Sequence, residues 1–274
     1  MPSRVYVGRG YAPRPVSAPP QEIYRQRDQP PGVPPLELTG ERTLPDVPAE
    51  NYWYRRHLAV YEWIARQIPA GHVVDLASGE GYGSAELALV ASSVVGIEPN
   101  EEAYEHARRR YPQVSFRRDL AETFAEPCDA VVFLQTIEHV ADPVAVLGRI
   151  ASQLRPGGAA YISTPNVLTL APPGAERSGN PWHVVEYRPE QFLELCQGSF
   201  ATVELLGLFH ARRLRLHELA IRRARWDDIH RRLGITKRFY DRFVPAISVR
   251  DFALRAGPPQ RLAGALDLVA VCRP

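Results

Sequence analysis

From His72 to the C-terminus, short apolar runs rich in β-branched residues alternate with stretches of helical periodicity, and few folds accommodate that text. Strands covered on both faces read as near-continuous apolar runs, and joining such strands in parallel needs crossovers long enough to hold a helix. The alternation predicts a parallel α/β sheet with helices on both faces. Seven strands are expected, at Val73–Leu76, Val94–Glu98, Val114–Arg117, Ala130–Leu134, Ala159–Ser163, Thr202–Leu208 and Leu266–Cys272. Helices are expected to start near Tyr82, Glu101, Asp142 and Pro189. Asp142-Pro143 supplies an N-cap and an N1 proline, and Arg155-Pro-Gly-Gly158 ends that helix.

Two segments depart from this rhythm. Residues 1–48 hold 11 of the 26 prolines with little apolar periodicity, so they are expected to form a flexible arm, with order setting in near Leu36 to Pro48. The main domain then spans 49–274 and opens on an entry helix between Glu50 and Ile68, where Leu58, Tyr61, Ile64, Ala65 and Ile68 recur at helical spacing before Pro69-Ala-Gly71. The second departure is residues 210–263, which carry 14 Arg and Lys against 5 Asp and Glu, in a chain whose total charge is only +2. Helical runs are expected there at Leu214–Trp226 and Asp228–Phe243, as an insertion or lid before the last strand. With 45% hydrophobic and 23% charged residues the 274-residue chain has a globular composition. No apolar run is long enough for a membrane span and the N-terminus lacks an apolar leader core, so a cytoplasmic protein without a membrane partner is expected. Cys128, Cys196 and Cys272 are too few and too scattered for a disulfide framework or a zinc site.

Chemistry is concentrated after the first strand, in Asp75-Leu-Ala-Ser-Gly79-Glu-Gly81-Tyr-Gly83. Glycines at a strand-to-helix turn let a ligand approach the backbone, and the helix start offers unpaired N–H groups to an anionic cofactor group. Glu98, 19 residues after Gly79, stands where a carboxylate can accept hydrogen bonds from two ribose hydroxyls. The dinucleotide fingerprint G-x-G-x-x-G fails in both registers, because Ser84 or Glu86 occupies the third glycine position.

The remaining pattern, acidic-x-small-x-G-x-G-x-G, resembles the first motif of class I S-adenosylmethionine-dependent methyltransferases, with Ala77 where that family usually has Gly. Arg118-Asp119-Leu120, Gln135-Thr-Ile-Glu138-His139-Val-Ala-Asp142-Pro143, Arg155-Pro-Gly-Gly158 and Ser163-Thr-Pro-Asn166 follow in the family's order, the second resembling the E-H-V-x-D-P stretch of ubiquinone-type O-methyltransferases. The resemblance implies a Rossmann-like seven-stranded sheet and S-adenosylmethionine as cofactor. It implies contacts from Asp75, Ala77, Ser78, Gly79, Gly81, Glu98, Pro99 and Gln135, with Asp119 and Leu120 at the adenine. A narrower likeness, in Leu38-Thr-Gly-Glu-Arg-Thr43, Glu50-Asn-Tyr-Trp-Tyr-Arg-Arg-His57, Asn180-Pro-Trp-His183 and Gly207-Leu-Phe-His210, is to bacterial methyltransferases found with glycosyltransferases and α-glucan-branching enzymes. It implies a saccharide or glucan acceptor of the methylglucose-polysaccharide type.

A sugar hydroxyl is a poor nucleophile at neutral pH, so a general base is expected, and His139 and His183 are both candidates. Glu138 and His139 could instead help to hold a Mg²⁺ ion, as ubiquinone-type relatives are thought to do with a further Glu three positions before this pair. Here that position is Gln135, a weaker ligand for a hard cation. Tyr52, Arg56 and His57 either close over the cofactor or face solvent from the entry helix. The arginines of 210–263 read as a solvated surface or as a dock for an acidic or phosphorylated acceptor. Their interleaving with Trp226, Phe239, Tyr240 and Phe243 also permits RNA, although no recognised nucleic-acid motif is present. The reading is an O-methyltransferase acting on a saccharide hydroxyl; its rivals are an RNA or small-metabolite methyltransferase and a nonenzymatic cofactor-binding scaffold in a glycan-building complex.

Overall fold

The computed structural model describes residue 26 and residues 29–38, 42–68, 70–172, 174–224 and 236–274. Residues 1–25 of the expected arm, residues 39–41 of the Leu38–Thr43 motif, and Trp226 with the expected start of the second lid helix lie outside the described residues.

An eight-stranded mixed sheet forms the centre, in the order β3-β2-β1-β4-β5-β8-β6-β7. The strands are β1 (His72–Leu76), β2 (Ser93–Ile97), β3 (Ser115–Arg117), β4 (Cys128–Leu134), β5 (Leu154–Pro165), β6 (Thr202–His210), β7 (Phe252–Ala256) and β8 (Asp267–Arg273). The first five run parallel, while β8 is antiparallel to both β5 and β6. Alternate residues feed two cores. Val74, Leu76, Val131, Phe133, Leu268 and Ala270 pack on one face, and Val73, Ala130, Val132, Leu134, Val269 and Val271 on the other. Both faces are covered by helices, which is why the central strands read as unbroken apolar runs.

Helix α1 (Asn51–Ala65) buries Leu58, Tyr61 and Ile64. It shares its core with α2 (Tyr82–Leu87) and α3 (Glu101–Arg110). The opposite face holds α4 (Pro143–Gln153) and α6 (Pro189–Gln197); α5 (Val167–Leu170) is a single turn after β5. Asp142 is the cap the sequence suggests, accepting the Ala145 N–H at 3.0 Å, and Asn100 caps α3 by accepting that of Ala103 at 3.0 Å. Helices α7 (Arg212–Ala224), α8 (Thr236–Phe243) and the short α9 (Pro259–Leu262) complete the chain.

One expectation is corrected. The sheet has eight strands rather than seven, because the segment 210–263 is not wholly helical: Phe252–Ala256 forms β7, antiparallel to β6 from His210↔Phe252 to Leu206↔Ala256. An edge strand this short, with Arg255 in it, carries too little apolar alternation to be read from sequence. Between Leu36 and Pro48, where order is expected to set in, side chains are buried. Leu36, Leu44 and Val47 are buried in a small cluster of their own. The Pro34 carbonyl meets His106 Nδ1 at 2.6 Å, and Asp46 pairs with Arg110 at 2.6 Å. Scattered anchors of this kind dock an extended, proline-stiffened segment onto α3 without any periodicity that could announce it. Among the described residues no helix is long and apolar enough to cross a membrane.

Candidate active site

A cavity of about 500 Å³ opens beyond the carboxyl ends of β1, β2, β4 and β5, where open α/β sheets bind ligands. Its size lies within the usual range for small-molecule sites. Ala77, Ser78, Gly79, Glu98 and Pro99 wall it on one side, and Gln135, His139, Ser163, Trp182 and Asp267 on the other.

The glycine turn is held by its own sequence. Asp75 is fully buried and accepts from Ser84 Oγ at 2.6 Å and Tyr61 OH at 3.1 Å. Burial raises its pKa to about 7, against the pull of those two hydrogen bonds. Glu98 Oε2 accepts the Gly79 N–H at 2.8 Å and Oε1 that of Asn100 at 2.9 Å, so this carboxylate ties the loop to the end of β2. Gly79 sits at φ +58 with open space where a Cβ would be, as a loop facing a ligand requires. Gly83 is required for packing instead, since a Cβ there would lie 2.1 Å from the Tyr61 ring. Ala77 adopts φ 57, the left-handed region that glycine would enter without strain. Glu80, also in the motif, is turned inward onto His106 (2.9 Å) and Tyr111 (3.0 Å) and braces α3.

The open Gly79 face, the Glu98 carboxylate and the cavity beside them fit a nucleoside cofactor with a small charged tail. Asp75 and Gly81 lie behind this wall. Asp119 and Leu120 lie outside it: both are exposed, and Asp119 Oδ1 takes its own turn's Leu120 N–H at 2.8 Å and Thr123 Oγ1 at 2.5 Å. The Thr123 hydroxyl holds its carboxyl below the usual carboxylate range.

Across the cavity, Gln135 also has a positive φ of 52, and its side-chain amide donates to Ser163 Oγ at 3.0 Å. His139 follows in a 3-10 turn (Ile137–His139) and meets the Trp182 carbonyl through Nδ1 at 2.8 Å. A carbonyl only accepts, so the proton is on Nδ1 and the lone pair is on Nε2. His183 lies behind it, with ring centroids 5.1 Å apart, and both its nitrogens are engaged: Nδ1 with Glu186 Oε1 at 2.7 Å and Nε2 with Asn180 Nδ2 at 2.9 Å. Glu138 is buried, its Oε2 lacks a hydrogen-bond partner, and burial pushes its pKa up to about 8.

Glu138, His139 and His183 bring ligand atoms within 4.8 Å of one another, the one cluster of this kind among the described residues. The donor set fits Mg²⁺ poorly. It offers a single carboxylate where a hard cation wants several oxygens, and the hydrogen bonds of His183 leave it no free nitrogen. Gln135, at the position of the relatives' additional Glu, spends its side chain on Ser163.

Of the entry-helix residues, His57 reaches the cavity, and burial lowers its pKa to about 4, too weak a base for a hydroxyl. Tyr52 turns instead to His210 Nε2 at 2.8 Å. Arg56 forms a buried two-pronged pair with Asp267, Nε to Oδ2 at 2.7 Å and Nη2 to Oδ1 at 2.5 Å. Sequence reasoning passed over Tyr61, Ser163 and Asp267 as site residues. An Asp opening the last strand was a local sign for the third, but its partner stands 211 residues away.

Residues 52–219 match a family described as "Methyltransferase domain". The chain is 35% identical over 253 residues to a probable S-adenosylmethionine-dependent methyltransferase of Mycolicibacterium smegmatis, covering 86% of this chain and 94% of the relative. It is 40% identical over 184 residues to a probable S-adenosylmethionine-dependent methyltransferase of Mycobacterium tuberculosis, covering 66% and 67%. A ubiquinone biosynthesis O-methyltransferase of Aromatoleum aromaticum is 29% identical over 54% of this chain and 72% of its own. Among solved structures, an S-adenosylmethionine-dependent methyltransferase of Thermotoga maritima, described as a possible histamine N-methyltransferase, shares the fold at TM-score 0.56 and 15% identity, over 82% of this chain and 93% of its own.

Proposed function

The chain belongs to the methyltransferase-domain family as an S-adenosylmethionine-dependent methyltransferase, and from that premise we propose that it methylates a hydroxyl of a saccharide or glucan, with His139 as general base. The cofactor supplies a methyl group already activated by its positive sulfur. The protein's share is to hold the acceptor oxygen in line and to receive its proton. Glu98 would meet the ribose hydroxyls while its backbone bonds hold the loop, and Ala77, Ser78, Gly79 and Pro99 would line the cavity at the nucleoside.

The observation that carries the base assignment is the His139 Nδ1 contact to the Trp182 carbonyl, because it leaves Nε2 as the acceptor on a residue of the cavity wall. His183, the other candidate, has both nitrogens occupied and is absent from that wall. The saccharide reading draws on the likeness of the Asn180–His183 motif and on the half-exposed Trp182 ring, an apolar face beside hydrogen-bonding groups. Incubation with isotope-labelled S-adenosylmethionine and a panel of oligosaccharides, small phenols and RNA tests it, with the methyl located by mass spectrometry and NMR. A methyl ether on a sugar is the expected product. Transfer only to RNA or to a phenol would reject the saccharide and keep the enzyme; no transfer to any acceptor would favour a scaffold.

A further inference from the structure

The segment between α5 and α6 presents a run of hydrogen bonds that orients its side chains in turn and fixes the position of the Trp182 backbone. It begins at Glu186, whose Oε2 takes the Ser178 N–H at 2.7 Å and whose Oε1 takes the Ser178 hydroxyl. A carboxylate only accepts, so His183 carries its proton on Nδ1 and offers Nε2 as an acceptor. Asn180 fills that acceptor with its amide nitrogen at 2.9 Å, which turns Oδ1 toward the Trp182 N–H, 3.0 Å away. The far side of the Trp182 peptide segment is held as well. Arg177 Nη2 donates to the carbonyls of His183 (2.8 Å) and Val184 (3.2 Å), while the Val184 and Val185 N–H groups reach the Glu138 carbonyl at 2.8 and 3.2 Å. What this framework presents to the cavity is the Trp182 carbonyl against His139 Nδ1.

We propose that Glu186, His183 and Asn180 are positioning residues that set the tautomer of His139, holding its proton on Nδ1 so that the Nε2 lone pair is directed to the acceptor hydroxyl. This rests on the reading of His139 as the base. A base with the opposite tautomer would meet the hydroxyl with an N–H and could not receive its proton, so tautomer control is a condition of the step rather than a refinement of it. In the transfer itself the acceptor O–H proton moves to Nε2 as the new C–O bond forms and the methyl–sulfur bond breaks, with its electron pair going to sulfur. His139 leaves the step as an imidazolium. Burial holds the pKa of His183 below the usual histidine value despite Glu186, keeping that ring neutral as an acceptor on Nε2 must be.

The test is imidazole ¹⁵N NMR on the full chain with labelled histidine, the His139 signals being assigned by their loss in His139→Gln, together with kcat and cofactor affinity. Wild-type His139 is expected to be protonated on Nδ1. Asn180→Ala, which removes both the Nε2 donor and the Trp182 acceptor, is expected to move the proton toward Nε2 and to lower kcat about a hundredfold, the scale of a small misplacement of a reacting group. Cofactor affinity should stay within about twofold, which separates positioning from a folding defect. Asn180→Asp keeps the oxygen that receives the Trp182 N–H but loses the donor to His183 Nε2, so it should recover the tautomer and the rate only in part. His139 protonated on Nε2 in the wild type would overturn the proposal even if no variant folds, and so would an unchanged tautomer and kcat in Asn180→Ala. Full activity of His139→Ala would instead remove the base reading on which it stands, whatever the NMR shows.

Discussion

The two walls of the cavity are built on different principles. The wall at the glycine turn is local: Ala77, Ser78 and Gly79 follow one another, and Glu98 closes on Gly79 across 19 residues and two adjacent parallel strands. The opposite wall is assembled from separate places, with His139 meeting Trp182 across 43 residues and Asp267 meeting Arg56 across 211. A local turn needs only the right residues in sequence to form, so its chemistry travels with its motif. A wall drawn from distant segments depends on the packing that gathers them, and its residues acquire roles only from neighbours that spacing does not reveal.

The comparison breaks first at the Arg56–Asp267 pair, which joins α1 to β8 with both side chains almost fully buried. Arg56→Leu leaves Asp267 unpaired in the interior and should cost about 3–5 kcal/mol of stability. Denaturant unfolding would register it, and a loss under 1 kcal/mol would mean that the distant wall does not depend on this tie. Glu98→Ala sharpens the contrast from the other side. Removing a charged acceptor should weaken S-adenosylmethionine binding by on the order of 1.5–3 kcal/mol in calorimetry. An unchanged affinity would leave Glu98 only its role in tying Gly79.

Acidity gives a third test. Asp75 and Glu138 have pKa values raised by burial to about 7 and about 8, from ordinary values of 3.8 and 4.5. Over that range the folded protein holds protons that the unfolded chain has released, so stability falls as pH rises through the folded values. His57, lowered by burial to about 4 from 6.5, works in the opposite sense below pH 6.5. The melting temperature of the ligand-free protein should therefore fall from about pH 4.5 to pH 8, most steeply just above pH 6.5 where His57 no longer opposes it, and Glu138→Gln should flatten that fall. A temperature that rises over this interval would contradict the assignment. The smallest effect belongs to Ala77→Gly, which relieves a left-handed alanine worth roughly 1–2 kcal/mol but restores unfolded-state freedom worth up to about 1 kcal/mol. A gain of about 1 kcal/mol or less is expected, and a loss would show that the Ala77 methyl packs usefully.

The same contrast governs what could be read in advance. The strands and the glycine turn were legible because burial on both faces forces apolar runs and because a tight turn forces glycine. The edge strand β7 was not, since it buries little and pairs with β6 some 40 residues earlier in the chain. The docking just before Leu36 was not, since Val33 and the Pro34 carbonyl are held singly rather than in a period. At the site, His139 and His183 were equivalent in sequence. The direction of their hydrogen bonds, toward a carbonyl in one case and toward a carboxylate and an amide in the other, and their place on or off the cavity wall separate them. Asp119 follows the third strand, where the resemblance implies an adenine contact, and its Oδ1 takes the Leu120 N–H and the Thr123 hydroxyl, a local arrangement that position in sequence does not reveal.

If the two walls are separable as described, cofactor affinity and methyl-transfer rate measured on one preparation of His139→Ala should part company. The expected result is S-adenosylmethionine affinity within about twofold of wild type and a transfer rate to the acceptor lower by about 10²–10⁴, the range of a positioned acid–base group. A variant that binds the cofactor and transfers methyl groups at the wild-type rate would contradict the account.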